Sequence, residues 1–265
     1  MSETSEQYMK YITLFLLLLV FLYGIRHMPN VSGTMTVSTT TAHELPIYCV
    51  STEKPVLALT FDSAWGTEDL NDILTILNNH NAKAVFFVTG QWARNNPDAI
   101  RAIDAAGHEI GNHGDNHKHM PTLSKEDMAA EIQGCHNAVY DITGKDMTLF
   151  RAPYSDWNDT LVDVAHMMGY SAINQSVDSL DWKDYGTDSI IKQVIENKNL
   201  ENGSIILLHN GTTYTRDALD IMLTRLEQMG YHFIPLSSLI YTSDYYLDHT
   251  GKQFSKSTAS DSEQH

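Results

Sequence analysis

Residues 56–77 read VLALTFDSAWGTEDLNDILTIL, and this stretch contains both halves of one β/α unit. Its first part, VLALTF, is a continuous apolar run of the kind that forms a strand buried on both faces. The apolar residues of the second part have the i, i+3, i+4, i+7 spacing of an amphipathic helix: Leu70, Ile73, Leu74 and Leu77. A strand followed at once by a helix predicts an α/β fold with a parallel sheet.

The same alternation of short apolar runs and helical periodicity continues along the chain. Asn96 precedes Pro97 at a predicted helix start, and Ser124 with Asp127 resembles a capping box. Further strands are predicted at Ala84 to Val88, His108 to Gly111, Thr148 to Phe150, Tyr170 to Ile173, Ser204 to Leu208 and Tyr231 to Ile234.

Composition limits the class of protein. The 265 residues, 42% of them hydrophobic, can bury one sizeable core, which predicts a single domain with appendages. A formal net charge of -16 argues against a nucleic-acid partner or an anionic membrane surface, whereas a neutral glycan or a bound cation is compatible with it. The two cysteines, Cys49 and Cys135, are too few and too far apart for a disulfide-dense scaffold or a thiolate metal cluster. Whether they pair is left open.

The two ends of the chain differ from its centre. Residues 11–25, YITLFLLLLVFLYGI, form an uncharged run between Lys10 and Arg26 that suits a membrane anchor or a signal-peptide core. No Ala-x-Ala cleavage signal follows it, which favours an uncleaved anchor. We therefore divide the chain into an anchor or signal segment (1–28), a Ser/Thr-rich linker (29–45), a folded domain (46–243) and a polar tail (244–265).

Chemically capable side chains follow several predicted strands. Asp62, His113, Arg151 and His209 each stand at or just after a strand end. In β/α barrels the carboxyl ends of the strands converge on one face, so residues distant in sequence can meet in one pocket. The sequence therefore predicts a single site built from all of them.

Short motifs carry a family resemblance. In chain order they are Thr60-Phe-Asp-Ser63, His113-Gly-Asp-Asn-His117, Arg151-Ala-Pro-Tyr154, Asp178-Ser-Leu-Asp-Trp182 and Leu207-Leu-His209. Their order and spacing resemble the motifs of the polysaccharide deacetylases, the NodB-homology domain of carbohydrate esterase family four. The resemblance covers residues 54–240 and implies a distorted, incomplete β/α barrel. Residues 61–66, FDSAWG, resemble the sporulation-associated peptidoglycan deacetylase branch in particular.

The resemblance implies proton-transfer roles for two pairs of residues. Asp62 would be the general base that takes a proton from the attacking water, and Arg151 would orient it. His209 would be the general acid that protonates the leaving amine, because an imidazole titrates near neutral pH. Asp181 would complete this charge network. Taken alone, Asp62 would more often be a turn or helix-cap residue.

The resemblance also implies a substrate pocket. The backbone N–H of Tyr154 would help to bind the oxyanion of the reaction intermediate, a role that needs only a well-placed donor. Trp182 would line the groove, although core packing would be the simpler reading of that residue alone. Leu208 would shape the acetyl pocket.

Metal binding is where the sequence departs from the family pattern. His113 and His117 stand four residues apart, as on one side of a helical turn, and the resemblance makes them ligands of a divalent metal such as zinc or cobalt. The usual third ligand, an Asp, is replaced by Ser63, which predicts weak binding. Three alternatives stay open: a metal completed by water or by Asp115, catalysis without a tightly bound metal, and a glycan-binding homologue without turnover.

Together these features predict a hydrolase that removes N-acetyl groups from a cell-wall glycan, with peptidoglycan favoured because a tether would hold the domain against the wall. The expected partners are this glycan and, through the N-terminal helix, the membrane. The expected location is the extracytoplasmic side of a membrane, or alternatively the medium if the N-terminal segment is removed.

Overall fold

The computed structural model describes residues 45–256. The predicted anchor, residues 1–28, lies outside them, as does the predicted linker except for Leu45. Within residues 45–256, no helix has both the length and the apolar character needed to cross a bilayer. Both cysteines are buried and free, so the pairing that the sequence left open does not occur.

The first predicted strand forms the centre of the fold. It runs from Val56 to Ser63 (β2) and is buried from its second residue onward. Phe61 and the other odd-numbered apolar residues of β2 pack in the main core against the helices, while Ala58 belongs to a second apolar cluster. Because side chains alternate along a strand, Asp62 lies on the same face as Ala58.

A parallel sheet surrounds this strand. Its order within residues 45–256 is β6-β5-β4-β3-β2-β8-β7, with β9 pairing the start of β2, and every neighbouring pair is parallel. The remaining strands of this sheet are Ala84–Val88 (β3), Glu109–Asn112 (β4), Leu149–Phe150 (β5), Ser171–Ala172 (β6), Val177–Asp178 (β7), Ile205–His209 (β8) and His232–Phe233 (β9).

Helices connect the strands and cover the outer face of the sheet. Ser124 caps the longest described helix by accepting a hydrogen bond from the Asp127 backbone N–H at 3.1 Å, and Gly144 ends that helix with φ 67°. The helices are Leu70–Asn79 (α1), Gly90–Asn95 (α2), Pro97–Ala105 (α3), Lys125–Thr143 (α4), Asp159–Met167 (α5), Thr187–Ile195 (α6), Thr215–Gln228 (α7) and Leu236–Leu239 (α8).

The barrel is incomplete between β6 and β7, the two ends of the strand order. The segment that precedes β2 runs along this gap. Its Ile47 backbone N–H donates to the Ala172 carbonyl at 2.8 Å and its carbonyl accepts from the Asn174 N–H at 2.8 Å, while the Val50 N–H donates to the Gly203 carbonyl at 3.0 Å. The expected distorted, incomplete β/α barrel is therefore confirmed.

A second sheet corrects the predicted tail. Cys49–Val50 (β1), Tyr245–Leu247 (β10) and Lys252–Ser255 (β11) pair in the order β1-β11-β10. Gln253 is fully buried, and its side chain exchanges hydrogen bonds with the Tyr241 backbone at 2.7 and 2.9 Å. The polar tail predicted from residue 244 is therefore wrong over these strands, because pairing with β1 gives this polar segment a place in the fold.

Candidate functional site

Most of the predicted site residues line one cavity at the carboxyl ends of the strands. The cavity has a volume of about 600 Å³ and is open to solvent on one side. The residues that line it are Asp62, Trp65, His113, His117, Tyr154, Ser155, Gln175, Asp178, Trp182, Asp184, Leu207, His209, Gly211, Thr212 and Thr213. The fold thus brings residues that are far apart in the sequence into one cavity, as expected for the strand ends of a β/α barrel.

Asp62 and Arg151 form a buried ion pair on one side of the cavity. Arg151 Nη1 donates to Asp62 Oδ1 at 2.8 Å, and Arg151 Nη2 donates to the Asn174 carbonyl at 3.2 Å. The guanidinium lies 4.4 Å from the centre of the Phe87 ring. Burial alone would raise the pKa of Asp62, but the charges of Arg151, His113 and His209 hold it below its ordinary value. The Asp62 carboxylate is therefore ionised at neutral pH and fixed in direction.

His209 and Asp181 form a second buried pair. Asp181 Oδ1 accepts from His209 Nδ1 at 2.7 Å, and Oδ2 accepts from the His209 backbone N–H at 2.7 Å and from Thr215 Oγ1 at 2.6 Å. Burial acts to lower the pKa of His209, but the Asp181 carboxylate outweighs it and the pKa is raised. The Asp181 contact through Nδ1 leaves His209 Nε2 as the ring nitrogen on the far side from Asp181.

His113 and His117 lie side by side, with ring centres 5.1 Å apart. The expected helical turn is wrong: the segment is a loop in which Gly114 has φ 74° and His117 has φ 54°, both in the left-handed region. His113 Nδ1 contacts the Arg151 carbonyl at 2.9 Å, and His113 Nε2 lies 3.6 Å from Asp62 Oδ2. Burial lowers the pKa of His117 to about 4, with a smaller contribution from His113. The loop therefore sets both the distance between the two imidazole rings and their orientation.

A metal held by three protein ligands does not fit these residues. Within residues 45–256, no group of three or more His, Cys, Asp or Glu side chains has the geometry to hold a metal ion. The suggested third ligand Asp115 is not one, because its carboxylate pairs with Arg94 at 2.7 Å and does not line the cavity. Ser63 is fully buried, and its Oγ has no hydrogen-bond partner in the described part of the chain.

The leucine predicted to shape the acetyl pocket is the wrong one of two neighbours. Leu208 is fully buried and packs in the main core between the sheet and the helices. Leu207 lines the cavity instead, on the same strand face as His209. Alternation along β8 could have shown this from the sequence, because residues i and i+2 share a face of a strand.

Aromatic side chains surround the cavity mouth. Trp65, Tyr154 and Trp182 all line it, and each is about half exposed. Tyr154 has φ 62°, and its ring lies 4.4 Å from that of His117, while Trp65 lies 5.7 Å from His209. Sequence reasoning included Tyr154 and Trp182 but missed Trp65, although it follows Asp62 by three residues in the quoted FDSAWG stretch.

Comparisons with known proteins agree with this geometry. The polysaccharide deacetylase family model matches residues 50–173. The protein YlxY of Bacillus subtilis is 31% identical over 186 residues, which cover 70% of this chain and 57% of YlxY, so the chain spans little more than half of that relative. The peptidoglycan-N-acetylmuramic acid deacetylase PdaA of B. subtilis is 28% identical over 232 residues, covering 84% of this chain and 86% of PdaA.

A solved structure resembles the chain over most of its described part. BA3943 of Bacillus anthracis, described as a pseudoenzyme of carbohydrate esterase family four, is 33% identical with a TM-score of 0.71, and the match covers 74% of this chain and 69% of BA3943. A mutant of BA3943 is described as having restored enzymatic activity. Because its motifs occur in the family order, its fold is shared and its identity to these proteins is at this level, the chain belongs to the polysaccharide deacetylase family, carbohydrate esterase family four.

Proposed function

We propose that this protein hydrolyses the N-acetyl groups of amino sugars in peptidoglycan, releasing acetate and leaving a free amine. The reaction is hydrolysis of a carbon–nitrogen amide bond outside the peptide backbone. It requires a base for water, an acid for the leaving nitrogen and a donor for the oxyanion, all within one pocket.

One observation carries this proposal: two buried ion pairs lie beside one cavity, and they shift the pKa values of Asp62 and His209 in opposite directions. Asp62 has a lowered pKa beside Arg151, and His209 has a raised pKa beside Asp181. The lowered pKa keeps Asp62 in the ionised form that a base requires, and the raised pKa favours the protonated form of His209 that an acid requires. Pairs of groups separated in this way are characteristic of acid/base catalysis.

The proposed steps assign each residue one task. The Asp62 carboxylate removes a proton from water, and the water oxygen forms a bond to the acetyl carbonyl carbon. The backbone N–H of Tyr154 stabilises the resulting oxyanion. The carbon–nitrogen bond then breaks as the protonated His209 donates its proton to the amine nitrogen. Arg151 and Asp181 fix the directions of the base and the acid, and Leu207 and Trp182 contact the acetyl group and the sugar.

The metal has no step in this scheme. The family resemblance implies a divalent metal, and weak binding of such a cation by His113 and His117 is our proposal for this chain. The imidazole arrangement supports it in part, since the Arg151 carbonyl fixes the orientation of His113 as an outer hydrogen bond does for metal ligands. Ser63 in place of an Asp opposes tight binding.

Peptidoglycan and an extracytoplasmic location are proposed together. The name of PdaA gives peptidoglycan as the substrate of a relative of nearly equal extent. The apolar run of residues 11–25 suits an anchor that would hold the domain against the wall, or a signal for secretion. A role in sporulation rests on the FDSAWG resemblance alone.

A second candidate is a glycan-binding protein without turnover. Two observations favour it: the replacement of the usual metal-ligand Asp by Ser63, and the structural similarity to a pseudoenzyme. Deacetylation and binding of acetylated glycan strands by the full chain in detergent separate the candidates. Acetate release supports the enzyme, and binding without acetate release supports the second candidate.

A further inference from the structure

A buried carboxylate that belongs to no recognised motif lies beneath the loop that carries the two histidines. Glu131 is on helix α4, and only 4% of its surface is exposed. Its Oε2 accepts from the backbone N–H groups of Asp115 and Asn116, at 3.0 and 2.7 Å. Its Oε1 accepts from Asn116 Nδ2 at 2.9 Å and from Lys118 Nζ at 2.8 Å. Both carboxylate oxygens are therefore occupied by groups of the His113–His117 loop and of Lys118, the residue that follows it.

The backbone N–H groups of Gly114, Asp115 and Asn116 donate to side chains instead of to a helix or strand, so this loop needs side-chain acceptors. Gly114 and His117 have left-handed backbone, which places this segment outside regular secondary structure, and backbone N–H groups that are shielded from water require partners. The Asn112 side chain accepts from the Gly114 N–H at 2.9 Å, and Glu131 accepts from the next two. The Asn112 and Glu131 side chains thus fix the path of the chain from His113 to His117.

Helices α2 and α4 pack closely against this loop. A Cβ added to Gly90 would collide with Asp115 Oδ1, and one added to Gly134 would lie 2.8 Å from Asp115 Cγ. The Gly90 and Gln91 backbone N–H groups donate to the carbonyls of Gly114 and Asp115 at 3.0 and 2.9 Å. The loop is therefore clamped between α2 and α4.

We propose that Glu131 is a positioning residue for the reaction: it holds the His117 imidazole at its place beside His113 and Tyr154 in the cavity. Glu131 itself does not line the cavity, so it acts through the loop and has no contact with substrate. The expected effect on kcat rests on the proposed function, whereas the expected effect on the position of His117 does not.

The test compares Glu131→Gln with Glu126→Gln, the same substitution at an exposed position of the same helix. In Glu131→Gln an NH2 group must replace one carboxylate oxygen and face donors of the loop. We expect kcat to fall about tenfold or more, because His117 packs against Tyr154, the proposed oxyanion donor, and small displacements in an active site are costly. KM should stay within about twofold, because uniform binding is unaffected. Glu131→Asp, which keeps the charge, should recover part of kcat.

A second readout does not depend on activity. With histidine side chains labelled with ¹³C in the full chain, the His117 ring resonances should shift in Glu131→Gln and stay unchanged in Glu126→Gln. Unchanged His117 resonances in Glu131→Gln would overturn the assignment, whatever happens to kcat. Shifted resonances in a chain whose parent releases no acetate would leave the assignment standing and remove the proposed function. If Glu131→Gln does not fold, the same comparison is made with Glu131→Asp.

Discussion

Asp62 and His209 are direct register partners on the adjacent parallel strands β2 and β8. The proposed base and acid therefore stand side by side at the ends of two central strands, each backed by an ion-pair partner from elsewhere in the barrel. Arg151 follows β5, and Asp181 lies in the turn after β7. The strand register thus sets the distance between the two reacting groups, while the ion-pair partners Arg151 and Asp181 shift their pKa values.

Replacing Asp62 by Asn should lower kcat by on the order of a hundredfold or more, since the variant cannot accept the proton of the attacking water. Acetate release from acetylated glycan strands measures the change, and circular dichroism reports the fold. Asp98→Asn, at a side chain 98% exposed, is the matched control and should have parental activity. Parental turnover in a folded Asp62→Asn would refute the assigned base.

The pH dependence should follow His209. The proposed acid is protonated below its pKa, so turnover is lost as pH rises through that pKa. Since Asp181 raises it, Asp181→Asn should lower the pKa of His209 and move the alkaline limb of the pH–kcat profile to lower pH. Profiles of the parent and of Asp181→Asn, measured over the pH range in which both keep their dichroism spectra, check this. An alkaline limb that stays in place, or moves upward, would contradict the assigned acid.

The two neighbouring leucines of β8 should separate function from stability. Leu207→Ala enlarges the cavity beside His209 and should improve the turnover of N-propionyl relative to N-acetyl substrate. Leu208→Ala leaves a hole in the main core and should lower the free energy of unfolding by about 2–5 kcal/mol without changing this preference. Urea unfolding and kinetics on both substrates measure the two effects. If the acyl preference changed in Leu208→Ala alone, Leu208 and not Leu207 would be the residue that contacts the acetyl group.

Ser63→Asp should tighten binding of zinc or cobalt, because a carboxylate would add a third ligand and a negative charge to two neutral imidazoles. Calorimetric titration should show at least about tenfold higher affinity than in the parent. If the activity of the parent depends on metal and falls in chelator, the activity of the variant should resist the same chelator concentration. Ser63→Ala serves as control and should bind like the parent. Equal affinity in parent and Ser63→Asp would mean that residue 63 does not face His113 and His117.

Local pattern was enough to predict most of the strands that carry the site, but not β7, which precedes Asp181. Runs such as VLALTF are apolar throughout, and the polar residue at each strand end stands out against them. Strands β1, β7, β10 and β11 were missed because runs of two to four mixed residues carry no periodicity, and because the pairing of β1 with β11 joins residues about 200 positions apart.

The supporting contacts of the site could not be read from the sequence. Thr215 bonds Asp181 across 34 positions, and Glu131 reaches the His113–His117 loop from a helix of ordinary amphipathic appearance. Asp115 looked available as a ligand because its pairing with Arg94 depends on how α2 lies against the loop. These relationships arise from packing between elements, for which a single chain gives no local signal.

The central claim is hydrolysis of N-acetyl groups on peptidoglycan by the Asp62 and His209 pair. The most direct measurement is mass spectrometry of muropeptides, with chitooligosaccharides in parallel, after incubation with the full chain and with Asp62→Asn. The account predicts products that have lost an acetyl group with the parent, and far fewer with the variant. Muropeptides that keep all their acetyl groups, or equal deacetylation by both proteins, would contradict it.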